Sequence, residues 1–378
     1  MDFTIPEELT MLQSTVRKFV EEELQPIEMQ VPGGNRLPEP HWTDLCNKAK
    51  ALGLWALDAP EEYGGGGVST LGMTLVHQER CKTTAGIGVF GSAGPNILYE
   101  GTTEQIEKYL KPVIRGEKRS FFAQTEPHTG SDPASLATRA LLEGDHYIIN
   151  GGKTFISDVG GADFGLVFAK TDTARGRAGV TCFIVESGTP GFKVIRQIPT
   201  LHSMLDAFEL AFDDVRVPVA NRLGEEGQGF ALGQRWLGRN RLMFGARHVG
   251  VAERLIPMAA RYAKMRVTFG QPIAARQAIQ WMLADAWTWN YAMRNMVRHA
   301  AWMYDRGDDS RQEIAAVKAF VCDFSFRTID NIMQIFGAVG TSTDLPIERY
   351  WRQARHTRIA EGTTEMMKFI IARNILRD

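Results

Sequence analysis

Two polar segments of the chain carry residue types that could do chemistry. The segment from Phe121 to Asp132 crowds hydroxyls, Gly and Pro together, a composition that locally favours a polar turn followed by an Asp cap. The second segment is Glu361-Gly362-Thr363-Thr364. A carboxylate is suited to general-base chemistry, but beside Gly362 it is locally better explained as a helix N-terminal acid that the helix dipole stabilises.

Other motifs that could do chemistry fail on their context. Gly86-Ile87-Gly88-Val89-Phe90-Gly91 has the spacing of a dinucleotide fingerprint, but it follows a helical pattern where that site requires a strand. The 8 histidines form no HxxxH or HExxH pair, so we expect no metal site. The sequence shows no GxSxG or Cys/His nucleophile pattern.

The elements that must position the two polar segments divide the chain into three zones. Residues 1–118 are helical in pattern, with Leu12, Val16 and Phe19 at helical spacing behind a Thr4-x-x-Glu7 capping box. Gly and Pro breakers separate the other apolar stripes of this zone, which run from Trp42 to Leu54, Leu71 to Cys81 and Thr103 to Ile114.

Residues 119–225 change to an alternating pattern that predicts short strands. Tyr147-Ile148-Ile149 and Cys182-Phe183-Ile184-Val185 are two of these runs, and Gly144-Asp145 is a hairpin signal. No long helical pattern intervenes between the strands. We therefore expect a central antiparallel β domain.

Residues 226–378 return to long helical patterns, which run from Val249 to Arg266, Gln277 to Tyr304 and Arg311 to Phe336. Breaks near Gly270, Gly307 and Gly337 divide the zone into four or five helices. The sequence therefore predicts an α+β protein with an N-terminal α-helical domain, a central antiparallel β domain and a C-terminal four-helix-type α bundle.

Composition and charge exclude several classes of protein. With 44% hydrophobic and 23% charged residues the chain is globular in composition, and a net charge of −1 gives no field for nucleic acid. The 4 cysteines are scattered and form no CxxC pair, which is typical of buried thiols in a reducing compartment. We expect no signal peptide and no membrane span. Cytoplasm is the predicted location.

The run Thr125-Glu126-Pro127-x-x-Gly130-Ser131-Asp132 resembles the signature of acyl-CoA dehydrogenases, and further matches follow it in family order across nearly the whole chain. They are Lys153-Thr154-Phe155-Ile156-Ser157, Asp213-Asp214-Val215-Arg216-Val217-Pro218, Arg266-x-Thr268-Phe269-Gly270, Gln277, Gln334-Ile335-Phe336-Gly337 and Glu361-Gly362-Thr363-Thr364. The resemblance outweighs the local interpretations of both polar segments.

The resemblance implies that FAD binds between the β domain and the C-terminal bundle. Thr125 is expected to hydrogen-bond the flavin ring, which Phe155 and Ser157 cover; the family often has Trp and Thr at these two positions. The other positions that it assigns to the cofactor are Phe122, Gln124, Ser131, Thr363 and Glu365.

The same resemblance places Arg266 at the FAD pyrophosphate of a neighbouring subunit, where a guanidinium suits phosphate oxygens. Taken alone, Arg266 is better explained as a solvated helix residue. Phe269, Gln277 and Gln334 complete the expected contacts to the ADP half, and Gly337 is a further expected cofactor contact. Because such a cofactor is shared between chains, a homodimer or homotetramer is implied.

The resemblance assigns the chemistry to Glu361, as the base that takes the α-proton of an acyl-CoA thioester. The β-hydride would pass to flavin N5, giving the trans-2-enoyl-CoA, and a backbone N–H of the loop would stabilise the carbonyl oxygen. Some family members carry the base on the helix near Arg241. The corresponding residue here is Asn240, whose amide cannot accept that proton.

Ser131, Arg241, Gly362 and Arg373 fall at substrate-contact positions of the family. Gly238 replaces an acidic residue there, which leaves details of CoA binding open. Ala360 replaces a large aromatic and Phe244 an aliphatic residue, so the sequence favours a short, branched or cyclic acyl group. Three polar residues near the expected site have two possible roles: they either recognise a polar acyl group or pair with each other. These residues are Gln124, Arg247 and His248.

The predicted function is therefore acyl-CoA dehydrogenation in the catabolism of fatty or other acids, with an electron-transfer flavoprotein as electron acceptor. The alternatives are a flavin oxidase or monooxygenase of the same fold, and a catalytically silent binding subunit. Glu361 argues against the monooxygenase, and the presence of Glu361, Arg266 and Thr125 argues against a silent subunit.

Overall fold

Helices form the first part of the chain. The computed structural model describes residues 4–31, 37–86, 88–201 and 206–377. The first helices are α1 (Glu7–Phe19), α2 (His41–Ala51), α3 (Thr70–Arg80), α4 (Thr103–Gln105) and α5 (Lys111–Arg115). The predicted capping box at Thr4 is wrong, because α1 begins at Glu7 after Pro6 and has no side-chain cap. A residue before proline is biased away from helical geometry, so a helix does not start at Ile5.

One sheet forms the middle part of the chain. Its strands are β1 (Ser120–Ala123), β2 (Arg139–Glu143), β3 (His146–Ser157), β4 (Phe164–Lys170), β5 (Val180–Glu186), β6 (Phe192–Ile198), β7 (Ala207–Pro218) and β8 (Arg222–Leu223). They follow the order β6-β7-β3-β2-β4-β5-β8, with β1 paired to β4.

The pairing of these strands is mainly antiparallel, as predicted. The hairpin at Gly144-Asp145 is confirmed, because Glu143 pairs with His146 where β2 turns into β3. Two pairings are parallel: β1 runs alongside β4 over four residues, and β2 meets β4 at one residue pair. These strands are not joined by a hairpin, so nothing forces them to be antiparallel.

A helical bundle forms the last part of the chain. After α6 (Gly229–Met265) come the short strands β9 (Val267–Thr268) and β10 (Gln271–Pro272), followed by α7 (Gln277–Asp305), α8 (Arg311–Phe336), α9 (Ile347–Thr357) and α10 (Thr364–Ile375). Among the described residues, no helix is long and apolar enough to cross a membrane. Helix α6 begins at Gly229, 20 residues before the predicted start at Val249. The sequence prediction missed these residues because Gly233 and Gly238 interrupt the apolar pattern of the helix.

The N-terminal helices and the bundle share one hydrophobic core, to which Val16, Val76, Leu242 and Val317 belong. Helices α3 and α6 approach closely within it. A Cβ built on Gly250 of α6 would lie 1.8 Å from the backbone oxygen of Gln78 on α3. Only glycine permits this backbone contact, which fixes the positions of both helices.

Each face of the sheet has a core of its own. Phe168 and Ile184 pack with Leu110 of the N-terminal helices, while Val167 and Phe183 belong to the core of the other face. The domain boundaries at 118/119 and 225/226 stay a prediction; they fall in the connections before β1 and α6. The predicted burial of all four cysteines is confirmed, and all four are free thiols.

Candidate active site

A cavity of about 2440 Å³ lies where the sheet meets the helices. Both polar segments of the sequence reach its wall, although more than 200 residues separate them along the chain. The predicted site residues that line it are Phe122, Gln124, Thr125, Ser131, Phe155, Ser157, Arg241, Glu361, Gly362, Thr363 and Arg373.

The other predicted cofactor residues do not line this cavity in the single chain. Glu365 is exposed on the first turn of α10. The remaining predicted cofactor residues are exposed at one end of the bundle. They are Arg266, Phe269, Gln277, Gln334 and Gly337. Tyr262, which lies four residues before Arg266, stacks its ring on Phe336 with 4.3 Å between the ring centroids. This contact joins the segment that contains Arg266 to the segment that contains Gln334 and Gly337.

The first polar segment is held by a buried ion pair rather than being a simple surface turn. Lys153 Nζ donates to Glu126 Oε1 at 2.7 Å and to the Gln124 carbonyl oxygen at 3.2 Å. Burial acts to raise the pKa of Glu126, but Lys153 and backbone N–H donors hold that pKa below its ordinary value. Burial lowers the pKa of Lys153 to about 8. The pair fixes the path of the chain beside Thr125.

A β-bulge presents Phe155 to the cavity. The register of β3 against β7 shifts between Lys153 and Ile156, and Phe155 adopts a φ of 54° there. A bulge turns one side chain away from the regular alternation. Consequently 60% of the Phe155 side chain is exposed, and the Thr154 N–H donates to the Thr125 carbonyl oxygen at 3.0 Å, tying the bulge to the first polar segment.

This wall has the chemistry that a flavin needs. The buried Gln124 Nε2 and Thr129 Oγ1 have no hydrogen-bond partner in the described part of the chain. Buried polar atoms are normally satisfied, so these atoms, together with the uncovered ring of Phe155, fit a planar ligand with hydrogen-bonding edges. The residues present therefore fit the isoalloxazine of FAD.

Glu361 lies in the tight turn between α9 and α10. Its φ is 56°, and that of Gly362 is 97°. A Cβ at Gly362 would lie 2.9 Å from Met367 Cε and 3.1 Å from Arg241 Nη2, so the turn requires glycine. Thr363 is the N-cap of α10, accepting from the Met366 N–H. Glu361 is therefore not the helix N-terminal acid that local sequence favours.

The carboxyl group of Glu361 is buried, and its pKa lies near neutral pH. Its Oε2 is buried and has no hydrogen-bond partner among the described residues. Burial raises the pKa of Glu361 to about 7, although the charges of Arg247, Lys318 and Arg241 act in the opposite direction. A base with a pKa close to the working pH combines availability with proton affinity.

Two cations hold the backbone of the Glu361 turn. Arg241 Nε donates to the Glu361 carbonyl oxygen at 2.8 Å. Lys318 Nζ donates to the carbonyl oxygens of Thr357 at 3.1 Å and Gly362 at 2.6 Å. Lys318 is missing from the sequence-based site; a lysine between the apolar residues Val317 and Ala319 on α8 is the signal that could have found it.

The Glu361 N–H has no hydrogen-bond partner in the residues that the structure describes. It is thus available as a donor to an oxygen atom bound in the cavity. Asn240 also lines the cavity, and its amide gives no second base. Within the described ranges no group of three or more His, Cys, Asp or Glu could hold a metal ion.

His248 supports the end of α9 and does not pair with Gln124 or Arg247. Its Nε2 lies 2.8 Å from Thr357 Oγ1, and Ser325 Oγ lies 2.9 Å from its Nδ1. Burial lowers the pKa of His248 to about 3, so the ring is neutral. Of the three polar residues that the sequence leaves open, Gln124 and Arg247 line the cavity.

Comparisons with known proteins agree with this geometry. The sequence matches the family descriptions "Acyl-CoA dehydrogenase, N-terminal domain" over residues 6–117, "middle domain" over 121–215 and "C-terminal domain" over 227–376. An acyl-CoA dehydrogenase of Bacillus subtilis is 38% identical, covering 98% of this chain and 99% of that protein. An acryloyl-CoA reductase (NADH) of Anaerotignum propionicum is 37% identical, covering 100% of this chain and 96% of that protein.

A short-chain specific acyl-CoA dehydrogenase of Clostridium acetobutylicum is 34% identical over the whole of both chains. Similar solved structures include butyryl-CoA dehydrogenase from Megasphaera elsdenii (33% identity, TM-score 0.90) and a structure described as the electron transferring flavoprotein of Acidaminococcus fermentans (35% identity, TM-score 0.90), each covering 100% of both chains. The FAD complex of PigA has 28% identity and a TM-score of 0.91, covering 99% of both chains.

This chain belongs to the acyl-CoA dehydrogenase family. It is an oxidoreductase of that family, and its cofactor is FAD. The predicted family and fold class are confirmed.

Proposed function

We propose that this protein catalyses the α,β-dehydrogenation of a short acyl-CoA thioester to the trans-2-enoyl-CoA. The observation that carries the proposal is the carboxyl group of Glu361, which has a pKa of about 7 and a buried Oε2 without a partner. It lies in the same cavity as the flavin-compatible wall around Phe155. A base and an electron acceptor facing one cavity are the two parts that this reaction requires.

In this proposal Glu361 removes the α-proton while its own backbone N–H donates to the thioester carbonyl oxygen. That donor stabilises the negative charge that develops on the oxygen as the C–H bond breaks. Arg241 and Lys318 hold the turn, so the base stays in position. Bound FAD supplies the acceptor for the hydride that leaves the β-carbon.

The size of the acyl group is proposed from the residues around the base. Ala360 and Phe244 both line the cavity; the small residue leaves room beside the reacting carbons and the ring narrows the space beyond them. The short-chain and butyryl-CoA dehydrogenases among the relatives support a short acyl group. Arg241, Arg373, Gly362 and Ser131 are proposed to contact the CoA part.

The proposed electron acceptor is an electron-transfer flavoprotein. A structural relative described by that name, with 35% identity, supports this partner. A second candidate is the reverse reaction, reduction of a 2-enoyl-CoA, because the acryloyl-CoA reductase (NADH) of Anaerotignum propionicum is 37% identical. The cytoplasm stays the predicted location.

The experiment is an anaerobic titration of the purified yellow protein with short, branched, cyclic and long-chain acyl-CoAs. We expect short or branched thioesters to bleach the flavin absorption band and to yield the enoyl-CoA. Bleaching by NADH with an enoyl-CoA as oxidant would instead support the reductase. A flavin band that no thioester bleaches would favour the oxidase or monooxygenase, and a colourless protein would favour the silent subunit.

Glu361→Gln tests the base directly. We expect this variant to retain FAD and to bind thioester, while the rate of flavin reduction falls by about 100-fold or more, the usual contribution of a general base. Glu104→Gln is the matched control, because Glu104 is an exposed carboxylate of the N-terminal helices. Normal flavin reduction by Glu361→Gln would show that another base operates.

A further inference from the structure

A cluster of nitrogen-rich side chains lies in the cavity beyond the base. His77 and Arg80 are three residues apart on α3, and Arg247 is on α6. All three line the same cavity as Glu361. The close contact of Gly250 with Gln78 brings the two helices together at this point. None of these three residues belongs to the proposed base, flavin or CoA contacts.

The cluster of His77, Arg80 and Arg247 contains no carboxylate. His77 Nδ1, Arg80 Nε and Arg247 Nε are buried without a hydrogen-bond partner in the described part of the chain. Among the described residues the only hydrogen-bond contact of the Arg80 side chain is a weak one, from Nη2 to Cys81 Sγ at 3.8 Å. The guanidinium of Arg247 lies 5.0 Å from the Phe244 ring centroid. Buried guanidinium groups are normally paired, since an unpaired buried charge is costly.

Another arginine that lines the same cavity is paired with a carboxylate. Arg239 Nη1 lies 2.6 Å from Asp58 Oδ2, so that arginine has its carboxylate. Glu126 is likewise taken by Lys153. The acid whose charge reaches Arg247 is Glu361, which the proposed reaction needs as a free base. The guanidinium groups of Arg80 and Arg247 are therefore available to bind an anion from outside the chain.

His77 adds a hydrogen bond rather than a charge. Burial and the neighbouring Arg247, Arg80 and Arg239 hold the pKa of His77 well below its ordinary value, so the ring is neutral. A neutral imidazole can donate one hydrogen bond from one nitrogen. The cluster therefore consists of two positive charges with a neutral donor beside them.

The geometry of α6 relates the cluster to the reacting carbons. Arg241 bonds to the backbone of Glu361, and Arg247 follows six residues later, about 9 Å further along the helix axis. Met73, Val76 and Phe244 line the cavity with the cluster. An apolar wall with guanidiniums at its end suits a few methylene groups that end in an anion.

We propose that the Arg80 and Arg247 guanidiniums, with His77, bind a carboxylate at the far end of the acyl chain, so that the substrate is a short ω-carboxyacyl-CoA. This inference rests on the proposed dehydrogenase function and names its substrate class. Guanidinium groups bind carboxylates through paired, charge-assisted hydrogen bonds. The carboxylate would satisfy nitrogen donors that otherwise have no partner.

The test compares two thioesters of equal chain length, one ending in a methyl group and one in a carboxylate. The holoenzyme is mixed anaerobically with each, and kcat/KM for flavin reduction is measured. We expect the wild-type chain to prefer the carboxylate. Arg80→Met and Arg247→Met should each lower that preference by about 10- to 100-fold, the usual effect of losing a hydrogen bond to a charged group. Arg235→Met is the control, because Arg235 is an exposed residue of α6, the helix that carries Arg247, and it pairs with Glu100.

The outcomes separate this inference from the proposed function. If the wild-type chain reduces its flavin as well with the methyl-ended thioester, the carboxylate site is refuted while the dehydrogenase function stands. Failure of every thioester to reduce the flavin refutes the dehydrogenase function itself. An equal loss with both thioesters in Arg80→Met and Arg247→Met would mean that these residues support the site without recognising a carboxylate. The wild-type comparison decides the matter even if a variant fails to fold.

Discussion

At the scale of single residues, opposing effects act on Glu361. Removal from water favours the neutral acid, while Arg247, Lys318 and Arg241 favour the carboxylate. Burial is the larger effect, so the pKa lies at about 7 rather than at the ordinary value of 4.5. Arg241 and Lys318 therefore both hold the turn and moderate the pKa of Glu361.

This balance predicts a pH dependence of catalysis. Because the base must be ionised, kcat/KM for flavin reduction should rise about tenfold per pH unit below the Glu361 pKa and level off above about 7. Arg247→Met should move the midpoint to higher pH, because the charge of Arg247 lowers the pKa. Anaerobic stopped-flow reduction with a neutral thioester measures the profile. A flat profile from pH 5 to 9, a window of about two units on either side of the midpoint, would contradict the assignment.

Glu361 affects folding stability and catalysis with opposite pH dependences. Folding raises the pKa of this carboxyl group above its ordinary value, so the folded chain binds the proton more tightly than the unfolded chain. The contribution of Glu361 to stability is therefore present at low pH and is lost as the pH rises toward 7. In the proposed reaction this loss of stability falls in the pH range where Glu361 must be ionised.

At the scale of elements, the contact between α3 and α6 sets the shape of the cavity. Both helices contribute to its wall through His77 and Arg247. Their backbones touch at Gly250 and Gln78, so a side chain on Gly250 would push the helices apart. The bulge in β3 also shapes the cavity wall, because it presents Phe155 there.

Gly250→Ala should therefore lower the free energy of unfolding. The new Cβ would lie 1.8 Å from the backbone oxygen of Gln78, and overpacking of this kind costs about 1–3 kcal/mol or more. Gly238→Ala is the matched control, because a Cβ at Gly238 on the same helix meets nothing within 4 Å. That variant should gain up to about 1 kcal/mol from helix propensity.

Denaturant unfolding monitored by circular dichroism measures both glycine variants. Equal stability of the Gly250→Ala and Gly238→Ala chains would contradict the close helix contact. A second readout is the cavity itself, because separating α3 from α6 should weaken thioester binding in the Gly250→Ala chain.

At the scale of the whole molecule, the predicted cofactor residues fall into two separate places. The group around Phe155 lines the cavity, whereas Arg266, Gln277 and Gln334 are exposed at the end of the bundle. Phe269 is 96% exposed, an unusual position for an aromatic side chain. We propose that a second copy of the chain brings this end against the FAD of its neighbour, in a homodimer or homotetramer.

Arg266→Ala should then weaken FAD binding without changing the base. We expect the FAD dissociation constant to rise about 10- to 100-fold, because a charge-assisted hydrogen bond to phosphate is lost. Arg261→Ala is the control, because Arg261 is an exposed arginine in the last turns of α6, which ends just before Arg266. Flavin content after dialysis measures the loss, and light scattering measures the oligomer. A monomer that retains its full FAD content would contradict the shared site.

The sequence by itself determined the family, the order of helices and strands, and the identity of Glu361 as the candidate base. Periodic apolar patterns report which side chains face a core, so long regular elements such as α7 and α8 could be predicted nearly to the residue. The hairpin at Gly144-Asp145 was equally local. Each motif of the family could be read because its own residues lie close together along the chain.

Only the tertiary structure decided which residues surround the base. Lys318 on α8 and Arg80 on α3 resemble ordinary helix residues in the sequence, because the pattern shows neither what a side chain touches nor what it lacks. The chain fold brings Lys318 to the Gly362 carbonyl oxygen and Arg80 into the cavity, and it leaves Arg80 Nε and Arg247 Nε without hydrogen-bond partners among the described residues. Burial and long-range charge shift the pKa of Glu361, and both depend on distances that local sequence does not contain.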